Sequence, residues 1–200
     1  MLHRFALADL TPTPWKNGGG STREIVCRPP GADMDAFDWR VSIATIAQSG
    51  PFSVFAGVDR VILLLDGDGV HLQSAGGIDH RLDKALQPFA FSGDEALDCT
   101  LLGGPSLDFN VMTRRSALRA EVTVLRHETP LAPAPRGLLL AVRGHWQFQA
   151  AGAAQECAAG QGLWWEGEAQ GWLARPQGDD PALLWVHLET VGADFHEKQA

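Results

Sequence analysis

Two stretches of this 200-residue chain recur at one common spacing. Shifted by 77 positions, ILLLDG at 62–67 falls on LLAVRG at 139–144. At the same shift LDFNVM at 107–112 falls on LWVHLE at 184–189, with Leu107 over Leu184, Phe109 over Val186 and Val111 over Leu188. The apolar alternation survives the shift, and a period of two is the mark of a strand with one buried face. A shared offset for both segments predicts two copies of one β-unit, with a boundary near 115–135.

The rest of the chain reads the same way. REIVCR at 23–28, DWRVSIATI at 38–46 and RAEVTVLR at 119–126 alternate, while VILLL at 61–65 and LLLAV at 138–142 are apolar throughout, as in strands covered on both sides. Twenty-two glycines and twelve prolines punctuate the sequence, which suits many short strands better than long helices. No sustained 3.6-residue stripe occurs; short helices or turns are expected only near 33–37 and 79–86. PLAPAP at 130–135 has a linker's composition. The fold class is therefore all-β. Two joined β-units are expected as closed or nearly closed barrels, which leave few exposed edges and can hold one small ligand in the mouth. Residues 1–118 are assigned to a first barrel with a ligand pocket. Residues 119–200 are assigned to a second, more structural barrel, with the termini free to exchange strands between the two.

Composition excludes several functions. The formal charge of −8 removes the electrostatic attraction that nucleic-acid binding needs. Cys27, Cys99 and Cys157 are odd in number and widely spaced, so reduced thiols in a cytoplasmic protein are expected rather than a disulfide framework or a zinc knuckle. The N-terminus carries Asp9 and no continuous apolar segment, unlike a secretory signal, and no run is long enough to span a membrane. The seven histidines, His3, His71, His80, His127, His145, His187 and His196, form neither HxH nor HExxH. There is no GxSxG elbow, and no pair of carboxylates announces itself as acid and base.

PWKNGGGST at 14–22 is the most unusual stretch. Its lysine precedes the glycines, so it is not a Walker loop, and the following STREIV reads as a strand, so it is not a dinucleotide fingerprint. Successive glycines can turn backbone N–H groups into an anion-binding nest beside Lys16 and Asn17; the plainer alternative is a flexible turn with a solvated lysine. Arg40 and Ser42 share one strand face, which pattern alone assigns to solvent in preference to a polar barrel interior. Asp59 and Arg60 read as a strand-end ion pair. Phe89 and Phe91 point the same way, towards a pocket wall or, more simply, a core. The tryptophans at 146, 164, 165, 172 and 185 read as core filling.

Taken together, PWKNGGGSTREI at 14–25, the run FDWRVSIATIAQSGPFSVFAGVDRVILLLDGDG at 37–69, PFAFSGD at 88–94 and LDFNVMTRR at 107–115 resemble the HutD/Ves family. The second half matches only loosely. The resemblance implies a bicupin, two RmlC-like jelly-roll barrels in one chain, with a role in histidine utilisation that is regulatory or ligand-binding. Formylglutamate is the kind of small carboxylate ligand it suggests. Many cupins hold a metal through HxH, a Glu and a later His; the corresponding stretch here, DGDGVHLQS at 66–74, offers only His71, so neither a metal nor another cofactor is expected. On this reading Lys16, Arg40 and Arg114 neutralise the ligand carboxylates. Asn17, Thr22, Ser42 and Asn110 orient it, Phe52, Phe89 and Phe91 form apolar walls, and Gly18 and Gly19 let the backbone approach. The alternative is a metal-independent isomerase or hydrolase with His71 or Glu24 as base; a ligand-free interaction protein is the third. A homodimer through sheet edges is expected by family analogy.

Overall fold

The computed structural model describes residues 1–150 and 152–192; His196 lies outside them. After β1 (Leu2–Ala6) the chain makes a turn of 3-10 helix at Leu7–Asp9, and no α-helix occurs among the described residues. There follow β2 (Thr13–Pro14), β3 (Gly20–Arg28), β4 (Trp39–Ile46), β5 (Gly50–Pro51), β6 (Val58–Asp66), β7 (Val70–Gln73) and β8 (Asp79–Leu82). Next come β9 (Phe89–Ser92), β10 (Asp98–Leu101), β11 (Ser106–Arg114) and β12 (Leu118–Leu125). The chain closes with β13 (Thr129–Ala150), β14 (Ala153–Cys157) and β15 (Gln161–Thr190). The expected helix or turn near 79–86 is thus half strand, while 33–37 is a turn region.

The first unit has a large antiparallel sheet in the order β2-β3-β4-β11-β6-β9 and a small one in the order β5-β10-β7-β8. In the second unit β13 and β15 are long and bend through both sheets. Residues 137–140 of β13 lie between 162–165 and 184–187 of β15, with β1 outside one arm of β15 and β12 outside the other. The flanking segments of β13, near 129–131 and 145–149, pair with 172–177 of β15, and β14 closes that edge. The order β4-β11-β6 therefore recurs as β12, the last arm of β15 and the middle of β13. Phe109 pairs with Leu63, yet Val186 pairs with Leu138 rather than with Leu140, the residue 77 positions after Leu63. A slip of two residues leaves every side chain on its original face, so the repeat survives it.

One expectation needs correction. PLAPAP is no linker, because Thr129, Pro130 and Leu131 pair with Ala174, Leu173 and Trp172. The two units are joined instead by a turn closed by Ala117 N–H donating to Arg114 O at 2.9 Å. The N-terminal strand β1 pairs with β15, from Leu2↔Trp165 to Ala6↔Gln161, and so completes the later sheet.

Alternation sorts the side chains into three layers. Trp39, Val41, Ile43, Leu63, Phe109 and Val111 leave one face of the first large sheet and pack against Leu138, Leu140, Leu184, Val186 and Leu188 of the second. The opposite face of the second sheet carries Leu139, Trp165, Leu183 and Trp185, which meet Trp146, Phe148 and Trp172 from its small sheet. Trp165 stacks on Trp185 at 5.5 Å between ring centroids and donates its indole N–H to Ala134 O at 2.9 Å. Aromatic volume fills that barrel, as expected of the tryptophans other than Trp164. Trp164 instead stacks on His3 and meets Trp39 edge-on between the units. An ion-pair cluster adds to this contact: Glu166 takes Arg28 at 2.8 Å and Arg136 at 3.1 Å. In the first barrel the apolar filling of Ile46, Ile62, Leu64, Leu72, Leu97 and Cys99 occupies only part of the interior.

Candidate ligand-binding cavity

The remaining interior of the first barrel is a cavity of about 710 Å³, within the size range of small-molecule sites. Its wall is the face of the large sheet opposite Trp39, Val41 and Ile43. That face carries Arg40, Ser42 and Ala44 from β4, Arg60 and Ile62 from β6, and Asp108, Asn110 and Met112 from β11. The solvated reading of Arg40 and Ser42 is therefore wrong. Their strand is covered on one side by the second unit, so its other face looks into the barrel, and polar residues there line a cavity.

The ladder sets the side chains in rows. Arg40, Met112 and Arg60 lie across from one another; Ser42, Asn110 and Ile62 form the next row; Ala44, Asp108 and Leu64 form the third. Arg40 donates to Glu24 Oε2 at 2.8 Å and to Ser42 Oγ at 3.3 Å, so its charge is matched within the wall. Arg60 is not matched. Its Nε and Nη2 donate to Asn110 Oδ1 at 3.3 and 3.2 Å, and among the described residues no carboxylate lies within ion-pair distance. The rings of Phe91, Phe52 and Phe55 hold the guanidinium at 5.0, 5.3 and 5.6 Å from their centroids. Burial, and then the charge of Arg40, lower its pKa to about 10, so it stays cationic at neutral pH. The expected Asp59–Arg60 pair does not form, because neighbours on a strand point to opposite faces. Asp59 pairs with Arg115 at 2.8 Å instead.

Asp108 is fully buried, and neither carboxyl oxygen has a hydrogen-bond partner. Burial pushes its pKa up to about 7. The thiol of Cys99, raised to about 12 by burial and then by the charge of Asp108, belongs to the same surroundings. Sequence reasoning missed both Arg60 and Asp108. The signal was present: alternation in LDFNVM puts Asp108 on the face of Asn110, and in DRVILLL it puts Arg60 on the face of Ile62.

Lys16, Asn17, Thr22, Arg40, Ser42, Phe52 and Asn110 are brought together around this cavity. Lys16 and Asn17 are exposed, at the rim. Thr22 Oγ1 accepts from the Trp15 indole at 2.8 Å. The glycines do not form an anion nest. Gly18 N–H donates to Trp15 O and Gly19 N–H to Asn17 Oδ1, both at 3.0 Å, so these donors are already used. Gly18 supplies a positive φ of 71° to the turn. At Gly20 a Cβ would stand 2.2 Å from Thr45 O, so only glycine allows this hairpin to close on β4. Gly18 and Gly19 do not line the cavity. Phe91 supports Arg60 from below rather than lining it, and Phe89 lies outside, stacked on His80 at 3.7 Å. Arg114 is also outside: it donates to Phe37 O at 3.0 Å and Asp35 O at 2.6 Å.

His71 pairs with Asp79 on the small sheet and is not part of the cavity wall. The wall has no histidine, and of its carboxylates Glu24 is held by Arg40. Among the described residues no group of three or more His, Cys, Asp or Glu is placed to hold a metal ion. This donor set does not fit the metal that many cupins carry. Among the described residues no helix is long and apolar enough to cross a membrane.

Two barrels of one topology define the class as a bicupin. A cupin 2 conserved barrel domain protein from Leptotrichia buccalis shares the fold with a TM-score of 0.60 at 9% identity, covering 94% of this chain and 96% of that one. The HutD family profile matches residues 7–183, and the chain belongs to the HutD family. Protein Ves of Citrobacter koseri is 42% identical over 179 residues, which is 88% of this chain and 90% of the relative. HutD from Pseudomonas fluorescens SBW25 superposes with a TM-score of 0.81 at 31% identity, covering 96% of this chain and 100% of that one. A conserved protein of unknown function from Pseudomonas aeruginosa PAO1 gives a TM-score of 0.85 at 37% identity over 94% and 99% of the two chains.

Proposed function

We propose that this protein is a metal-independent binder of a small carboxylate metabolite, held in its first barrel, with a regulatory role in histidine utilisation. The observation that carries the reading is Arg60, a buried guanidinium with no anion of its own. A buried charge is costly until it is paired, and a planar fork of donors suits a carboxylate. Lys16 at the rim adds a second cation, Ser42 and Asn110 supply placed polar groups, and Phe52 and Phe55 supply apolar surface, the usual mixture in a small-molecule site. Formylglutamate is the ligand suggested by family membership. A cytoplasmic location and a homodimer belong to the same reading.

Titration calorimetry with formylglutamate, urocanate and glutamate tests it. Binding heat for at least one, abolished by Arg60→Met in a protein that still melts cooperatively, is the expected result. Absence of heat for all three with folded protein would overturn it.

A further inference from the structure

Asp108 has a second, independent claim on the ligand. Its two oxygens are without partners in a fully buried position, at the wall of an otherwise accessible cavity. Leaving such a group unsatisfied is costly, so an acceptor in this position is best explained by a donor arriving from outside the chain. The neighbours do not supply one. Ala44 and Leu64 flank it across the ladder, and the nearby Cys99 has only a weak S–H donor.

The ladder also sets the distance. Arg60 delivers its guanidinium to Asn110 Oδ1, and Asn110 and Asp108 lie two residues apart on the same face of β11. Two residues of strand span about 7 Å. The wall therefore presents an unmatched cation at one level and an unmatched acceptor one row further on, with the apolar Ile62 flanking the first level and Ala44 the second. We propose that the cavity takes a short bipolar molecule, whose carboxylate meets Arg60 and whose other end donates an N–H or O–H to Asp108. An ammonium end would give each buried charge its own counter-charge. This inference rests on the carboxylate reading above and adds what stands at the opposite end of the ligand.

Three probes of matched length test it: 5-aminopentanoate, pentanoate and glutarate, titrated at pH 8 into the intact protein and its Asp108→Asn and Arg60→Met variants. Wild type should prefer 5-aminopentanoate over pentanoate by about ten- to a hundredfold, the value of a hydrogen bond between charged groups. Asp108→Asn should remove that preference, while its affinity for pentanoate stays within about threefold of wild type. Arg60→Met should weaken all three. Thermal melts confirm that each variant is folded. If glutarate binds as well as the amine, or the preference persists in Asp108→Asn, the bipolar assignment is wrong although Arg60 still binds carboxylates. If no probe binds, or binding ignores Arg60, both readings fall together.

Discussion

Nη2 of Arg60 lies 3.2 Å from Oδ1 of Asn110, across two neighbouring strands and inside a barrel. An amide oxygen orients a guanidinium without neutralising it, and three phenylalanine rings pack around the guanidinium. The cation is held ready and left unmatched, unlike Arg40, whose partner Glu24 is 2.8 Å away.

Removing the Arg60 cation should therefore separate binding from folding. Arg60→Met keeps the bulk of the side chain and deletes its charge. Carboxylate affinity should fall by about tenfold or more, while stability in urea changes by only about 1 kcal/mol, because the buried charge it removes was itself costly. Lys16→Ala, at the exposed rim, should weaken binding less, and the difference should shrink in high salt. Calorimetry and urea melts of the two variants check this.

Asp108 should leave a mark on stability against pH. Its folded pKa, about 7, lies above the ordinary 3.8, so between these values the folded state binds more protons than the unfolded one. Stability should fall as pH rises from about 4 to about 7 and level off above. The nearby groups do not interfere in this window: Cys99 stays a thiol and Arg60 stays charged. Asp108→Asn should stabilise the protein at pH 8 by up to a few kcal/mol and by much less at pH 5. Thermal melts at the two pH values measure it; an equal effect at both would contradict the assignment.

Glu166 should show the opposite sign. Burial alone would raise its pKa, but hydrogen bonds from Arg136 and Arg28 hold it below the ordinary carboxyl value. Its contribution is present above the ordinary carboxyl pKa and is lost as pH falls through the lower folded one. Glu166→Gln should cost about 1 kcal/mol at pH 7, limited by solvent screening of a partly exposed pair. The loss should fade at low pH and in high salt, as urea melts would reveal.

Gly20→Ala should be the most damaging small change in the opening stretch. The new Cβ would meet Thr45 O at 2.2 Å and the Trp15 ring at 3.1 Å, and backbone cannot yield as a flexible side chain can. A loss of about 2–4 kcal/mol is expected, against little change for Asn17→Ala. A Tm for Gly20→Ala within a degree of wild type would show that the hairpin is not so tightly held.

Alternation and the 77-residue repeat were enough to read strands, their parity and the presence of two β-units. The residues of PWKNGGGST, β4 and β11 that surround the cavity were legible from the family resemblance. Arg114 was misplaced because a strand-end arginine can turn to nearby carbonyls, here Phe37 O and Asp35 O, which no pattern announces. PLAPAP was misread because composition describes a linker and an edge segment alike, and only its pairing with β15 distinguishes them.

Parity is local, since it depends only on the two-residue period of a strand, and so the sequence determined which side chains travel together. Whether a given face meets water, another sheet or a cavity depends on what the rest of the chain lays over it. Only the tertiary structure decided that Trp39, Val41 and Ile43 face the second barrel. The same packing leaves Arg40, Ser42, Asp108 and Asn110 around a hollow that tryptophans fill in one barrel and do not fill in the other.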